Sequence, residues 1–199
     1  MILSFIGMSG AGKSRWSNHL ENEKGYKKYS CDELIEKELS SDLASLGCEG
    51  VGGLSRWMGQ PYDERYARNS RRYLELEVKV LEKILEEIER GKEKKTVVDT
   101  TGSVVYLPEE LLRKLKQLTK VVYLETPESM VEKMIAIYFA DPKPVIWGDS
   151  YRPLPDEEKM KALKRCYPAL LRYRMSLYEK LADVKVDRSE VERLLDAIT

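Results

Sequence analysis

Apolar residues fall into five short runs, separated by longer stretches in which they recur every three or four positions. The runs cover 2–6, 26–31, 96–100, 120–125 and 184–187. They are strand-sized and nearly continuous in apolar character, as in a parallel sheet covered on both faces. The stretches between them predict helices over about 13–23, 32–39, 63–90, 108–118, from 127 onward, 156–181 and 190–198. In the longest, Leu74, Val78, Leu81, Leu85 and Ile88 form one stripe, and Gly91 ends it. Pro108 opens the next helix, and Pro168 predicts a bend in the helix over 156–181. Strand alternates with helix five times, which makes the chain a doubly wound α/β domain with a five-stranded parallel sheet. Ligands of such sheets sit at the carboxyl ends of the strands, so the residues after Ile6, Cys31, Val98 and Leu124 are the ones to watch.

Two segments break the pattern. Residues 40–61 hold Gly47, Gly50, Gly52, Gly53 and Gly59, a density that predicts a loop, and a long loop in a compact domain is a lid or a binding loop. Residues 141–155 carry four prolines and read as a flap. The whole of 1–199 is therefore one domain, with about 40–61 and 139–155 as mobile or substrate-covering segments. Trp57 and Trp147 lie in these segments, as core filling or as substrate contacts.

The first strand runs into Gly7-Met8-Ser9-Gly10-Ala11-Gly12-Lys13-Ser14, a complete G-x-x-x-x-G-K-[ST] pattern between a strand and a helix. Its glycines let backbone N–H groups wrap a polyphosphate, and the helix N-terminus adds positive potential. Gly7, Ser9, Gly10, Ala11, Gly12, Lys13 and Ser14 are thus expected to bind ATP, with Lys13 on the β- and γ-phosphates and Ser14 on Mg²⁺. Asp99 ends the third strand, where it either holds that metal through water or caps the following turn. Gly102 lets a backbone N–H approach the transferred group. Asp32 follows the second strand, as the group that orients an acceptor hydroxyl or as a helix N-cap.

Composition narrows the field. The 34 basic and 34 acidic residues cancel, so no overall field draws the chain to nucleic acid or an anionic membrane. No apolar run is long enough to span a bilayer, and the amino-terminal residues carry no export or transit signal. The three cysteines, Cys31, Cys48 and Cys166, fit neither a disulfide framework nor a zinc pattern, and read as reduced thiols in a cytoplasmic protein. His19 is the only histidine, which argues against histidine-ligated metal and a Ser-His-Asp triad, and it reads as a surface residue. The sequence leaves the oligomeric state open.

Beyond the phosphate loop, three segments resemble shikimate kinase and its relatives among the small-metabolite kinases. Tyr29-Ser30-Cys31-Asp32-Glu33-Leu34-Ile35-Glu36 is similar to the segment whose aspartate binds the substrate's hydroxyls. Arg152-Pro153-Leu154 resembles the lid, whose arginine reaches the phosphates. The stretch from Arg174 through Tyr178 to Ala182-Asp183 resembles R-x-x-x-Y…A-D, whose arginine grips a carboxylate. The resemblance implies a kinase that uses ATP and Mg²⁺ to phosphorylate a small hydroxylated anion. Lys13, Asp32 and Arg152 would be catalytic, and Asp32, Arg72, Gly102 and Arg174 would bind the acceptor. Lys133 and Asp187 would sit on the adenine side. Arg72 stands for the arginine of the family's F-R-x-x-E pattern, with Arg68 and Arg71 as alternatives. The chain departs from the family in carrying Asp99-Thr100-Thr101-Gly102 in place of a triple glycine, closer to the Asp-x-x-Gly of nucleoside monophosphate kinases. A nucleoside or nucleotide kinase is therefore one rival reading. A regulatory ATP-binding module without transfer is the other, and in it the glycine-rich segment would be a docking surface.

Overall fold

The computed structural model describes residues 1–47, 50–91 and 94–198. Five strands, β1 (Ile2–Ile6), β2 (Lys27–Ser30), β3 (Thr96–Asp99), β4 (Lys120–Leu124) and β5 (Val184–Val186), form one sheet in the order β2-β3-β1-β4-β5. Every pairing is parallel. The helices are α1 (Lys13–Lys24), α2 (Cys31–Glu38), α3 (Ser40–Ser45), α4 (Gly50–Met58), α5 (Tyr66–Glu89), α6 (Glu109–Leu118), α7 (Val131–Ala140), α8 (Lys159–Leu181) and α9 (Val191–Ile198). The doubly wound sheet expected from the alternation is the one observed. Cys48 lies outside the described residues, and no described helix is long and apolar enough to cross a membrane.

The two-residue period of the strands divides the core. Leu3, Phe5, Val97, Val122 and Leu124 face Trp16 and Leu20 of α1 and Val191 and Leu195 of α9. Ile6, Val98, Val121 and Tyr123 face the larger group of helices, including α2, α5 and α8. The edge strands carry lysines, Lys27 and Lys28 on β2 and Lys185 on β5, which discourage pairing with a second sheet.

Residues 40–61 differ from expectation: most of the described residues of this glycine-dense segment are helical, in α3 and α4. Helical spacing places Leu54, Trp57 and Met58 on one buried face. Each glycine costs a helix interior about 1 kcal/mol relative to alanine, whereas burying three large apolar side chains returns roughly 1.5–3 kcal/mol apiece. Gly59, at φ 80°, follows the last residue of α4, and Trp57, two positions earlier, is core rather than an exposed contact. The long helix starts at Tyr66, later than expected, because the Asp63 carboxylate accepts the Gln60 N–H (2.7 Å) in a turn that precedes it. Its buried stripe is also rotated: Tyr73, Glu77, Val80, Leu81, Ile84, Leu85 and Ile88 face inward, while Leu74 and Val78 are half-buried. The four-proline segment tucks Val145, Ile146 and Trp147 into the core, where Trp147 is 1% exposed. Tyr66 pins it, donating to the Val145 carbonyl (3.1 Å) and accepting the Trp147 N–H (2.7 Å). α8 continues through Pro168. His19 is half-buried with its ring edge-on to Trp16, not a free surface residue.

Candidate active site

Strand register builds the site. Phe5 and Ser30 both lie level with Asp99 across β1, β2 and β3. The three strands therefore end together, and the segments that follow them, Gly7–Ser14, Cys31–Asp32 and Thr100–Gly102, share one end of the sheet.

The loop after β1 needs its glycines. Gly7, Gly10 and Gly12 have φ of 143°, 82° and 101°, the region that costs other residues most. A Cβ at Gly7 would also meet the Leu124 carbonyl at 2.8 Å. Gly12 is the N-cap of α1, with no side-chain cap, so the first N–H groups of the helix remain available to an anion. Lys13 is 6% exposed. Its ammonium donates to the carbonyls of Gly7 (3.0 Å) and Met8 (3.1 Å). Burial lowers its pKa, and the nearby carboxylates of Asp99 and Asp32 oppose that shift. Ser9 and Ser14 are exposed, and Ala11 is buried.

Asp99 is 5% exposed, its pKa raised by burial and held back by Lys13 and by the nearby Ser14 hydroxyl. The turn after β3 is capped by Thr101, whose Oγ1 accepts the Ser103 N–H (3.0 Å). Thr100 bonds the Phe5 carbonyl (2.7 Å). Ser14 and Asp99 form a hard oxygen pair beside the phosphate loop, which suits Mg²⁺ completed by phosphate and water oxygens.

Asp32 is not an N-cap. Ser30 caps α2, accepting the Glu33 N–H (3.4 Å), and the Asp32 carboxylate takes the Tyr73 hydroxyl instead (3.0 Å). Arg174 is 6% exposed. Its Nη2 donates to the Ile146 carbonyl (2.7 Å) and its Nε to the Tyr106 hydroxyl (3.2 Å), with the guanidinium 5.2 Å from the centre of the Tyr106 ring. Gly102 joins it to the phosphate loop: a Cβ there would lie 3.5 Å from Arg174 Nη1 and 3.7 Å from the Ser9 nitrogen. The Gly102 carbonyl accepts the Tyr178 hydroxyl (2.5 Å). The structure thus gathers Lys13, Ser14, Asp32, Asp99, Gly102 and Arg174.

Other expected residues lie apart from this cluster. Arg72 departs from its expected place: it is exposed and makes a two-pronged pair with Asp42 of α3 (3.0 and 2.7 Å). Arg68 and Arg71 are exposed as well. Arg152 is exposed, with its Nε donating to the Asp149 carbonyl of its own loop (2.8 Å). Its backbone is fixed by Arg165, which donates to the Arg152 carbonyl (2.7 Å). Lys133 is exposed on α7. The Asp187 carboxylate caps its own turn through the Ser189 N–H (2.8 Å) and hydroxyl (2.5 Å).

The sequence reading missed Glu77 and Tyr73. Glu77 is 2% exposed on the core face of α5. Its two carboxylate oxygens take the hydroxyls of Thr101 and Ser103, the latter at 2.6 Å. The signal was present: a glutamate in register with the apolar stripe, one turn after Tyr73. Burial raises its pKa from 4.5 to about 7, with the two hydroxyls opposing the shift. The sign for stability follows from linkage. Below pH 4.5 both states carry the proton. Between 4.5 and 7 only the folded state keeps it, so stability falls as pH rises, by up to about 3 kcal/mol, and the loss is constant above that. Glu77→Gln removes this ionisation and keeps an acceptor for one hydroxyl. Urea unfolding of both proteins at pH 5 and pH 8 should show the variant gaining relative to wild type at the higher pH. Parallel losses in the two proteins would assign the decline to other groups.

Neither a family sequence model nor a curated protein sequence matches the chain. Solved structures do. A shikimate kinase from Acinetobacter baumannii, in complex with shikimate, superposes with a TM-score of 0.62 at 19% identity over 99% of this chain and 92% of that one. Shikimate kinase from Bacteroides thetaiotaomicron gives 0.62 at 17% identity over 100% and 98%. That from Aquifex aeolicus gives 0.55 at 22% identity over 99% and 96%. End to end, from the phosphate loop to the last helix, the chain has the P-loop kinase fold of the shikimate kinases.

Proposed function

We propose that the protein is an ATP-dependent phosphotransferase that moves the γ-phosphate to a hydroxyl of a small anionic metabolite. The observation that carries this reading is the meeting, at one end of the sheet, of a complete phosphate loop with a carboxylate suited to a hydroxyl and a buried guanidinium suited to an anion. The shikimate bound to the Acinetobacter neighbour is a molecule of that kind.

In this reading the N–H groups of the glycine loop and α1 cradle the phosphates, and Lys13 gives up the Gly7 and Met8 carbonyls for them. Ser14 and Asp99 would hold Mg²⁺, which supplies charge neutralisation on the phosphates when bound. Asp32 orients the acceptor hydroxyl and takes its proton. Arg174 keeps Nη1, on the Gly102 side, for the acceptor's anionic group, because Nε and Nη2 are already engaged. Arg152 is the lid charge, reaching the phosphates after leaving the Asp149 carbonyl, with residues 139–155 as the covering segment. Lys133 and the backbone at Asp187 serve the adenine side. Little covalent work falls to the protein, so positioning and electrostatics supply the rate.

The test is ATP consumption over shikimate, other hydroxy acids, neutral polyols and nucleosides. Arg174→Lys keeps the charge but loses the planar fork. It should lower kcat/KM for the acid acceptor by about 10–100-fold, as expected for lost charged hydrogen bonds, with ATP KM unchanged. Equal turnover of neutral polyols or nucleosides would replace this reading with the nucleoside kinase, which Asp99-x-x-Gly102 favours. ATP binding with no transfer to any acceptor would favour the regulatory module.

A further inference from the structure

Asp32 meets the acceptor site already engaged. The Tyr73 hydroxyl donates to Oδ1 at 3.0 Å, and among the described residues Oδ2 takes no hydrogen bond. Tyr73 is 3% exposed on the core face of α5, and its hydroxyl reaches α2 at Asp32. One turn further along the same helix, Glu77 holds Thr101 and Ser103 on either side of Gly102. A single rigid helix therefore touches both acceptor-side segments, the start of α2 and the turn after β3.

We propose that Tyr73 is a positioning residue for phosphoryl transfer: its hydroxyl fixes the Asp32 carboxylate and reserves Oδ2 for the acceptor hydroxyl. A carboxylate tied at one oxygen loses its freedom to rotate, so the second oxygen is held ready before the acceptor arrives. Burial beside Asp32, Glu77 and Cys31 raises the phenol well above its ordinary pKa, so Tyr73 stays a donor across the working range. The same bond stabilises the ionised form of Asp32, which burial otherwise disfavours. The other charged and titratable groups facing Asp32 are Lys13 from α1, Asp99 from β3, Glu77 from α5, and Glu33 and Cys31 from α2.

The inference rests on the acceptor-side role given to Asp32, so its test has an arm that needs no turnover. Full-length protein labelled with ¹³C at aspartate carboxylates is titrated by NMR, and the Asp32 signal is assigned by its loss in Asp32→Asn. Tyr73→Phe keeps the ring and the packing. It should raise the Asp32 midpoint by about one pH unit, the size expected for one lost charged hydrogen bond. 3-Fluorotyrosine at position 73, a stronger donor of nearly the same shape, should lower it. With shikimate as the acceptor probe, Tyr73→Phe should cut kcat/KM for shikimate about tenfold or more, move the acid limb of its pH profile upward, and leave ATP KM within about twofold. An unmoved midpoint overturns the proposal. So does a loss that falls equally on ATP and shikimate together with a lowered melting temperature, the mark of a packing role. If wild type transfers phosphate to nothing, the kinase reading fails, and the proposal as a positioning role in transfer falls with it, while a shifted midpoint would still show that Tyr73 sets the Asp32 ionisation.

Discussion

Lys13→Ala should cut phosphoryl transfer by about 10²–10³-fold without lowering the melting temperature. The rate loss follows from removing a fixed positive charge where negative charge moves in the transition state. By analogy with deleted oxyanion donors, that costs about 3–4 kcal/mol. The stability expectation comes from the free protein. Lys13 is buried, and burial lowers its pKa, so holding the ammonium there costs the folded state stability. Alanine removes that cost, and what it exposes, the Gly7 and Met8 carbonyls, belongs to a loop whose neighbours Ser9 and Gly10 are open to water. Steady-state kinetics and a thermal melt on one preparation check both halves. Near-normal turnover in the folded variant would remove Lys13 from the mechanism. The variant also strips Asp32 and Asp99 of their main nearby cation, so both carboxylates should titrate at higher pH than in wild type.

Asp32→Asn is expected to lower turnover by about 10²–10⁴-fold, the range for losing a positioned general base, while ATP affinity holds. The amide is the same shape as the carboxylate and can still accept the Tyr73 hydroxyl, so the α2–α5 contact survives. What it cannot do is take a proton from the acceptor. In the proposed reading, nucleotide binding rests on the loop after β1 and on Asp99 of β3, the strand that lies between β1 and β2. Titration calorimetry with ATP·Mg²⁺ is the control: an affinity loss as large as the rate loss would move Asp32 to the nucleotide side.

Much of this arrangement was legible in the order of the residues. Nearly continuous apolar runs and period-three-to-four helices specified a doubly wound sheet, because a strand buried on both faces and an amphipathic helix leave few other ways to hide apolar surface. The phosphate loop could be read residue by residue, since its chemistry depends on backbone angles that glycine alone adopts cheaply and on a lysine fixed next to them in sequence. Asp32, Asp99 and Gly102 could be picked out as candidates because each lies at or just past the carboxyl end of a strand, and parallel register makes strand ends converge.

The tertiary structure decided the rest. Arg72 and Glu77 sit five positions apart on one helix, yet one is spent on Asp42 at the surface and the other is buried beneath the acceptor turn. Helix rotation, set by which side chains pack best against α2 and α6, chose between them, and a stripe counted along the sequence misses that choice by a fraction of a turn. Helix α4 formed where a loop was expected because Leu54, Trp57 and Met58 found a core to enter, a gain that local glycine propensity does not contain. The Tyr73–Asp32 bond joins residues 41 apart, and the Arg174–Ile146 bond residues 28 apart. Such contacts exist only once the chain has closed on itself. Sequence determined where phosphate chemistry can occur, because backbone conformation is a local property. Which side chains surround that place was left to packing, a property of the whole fold.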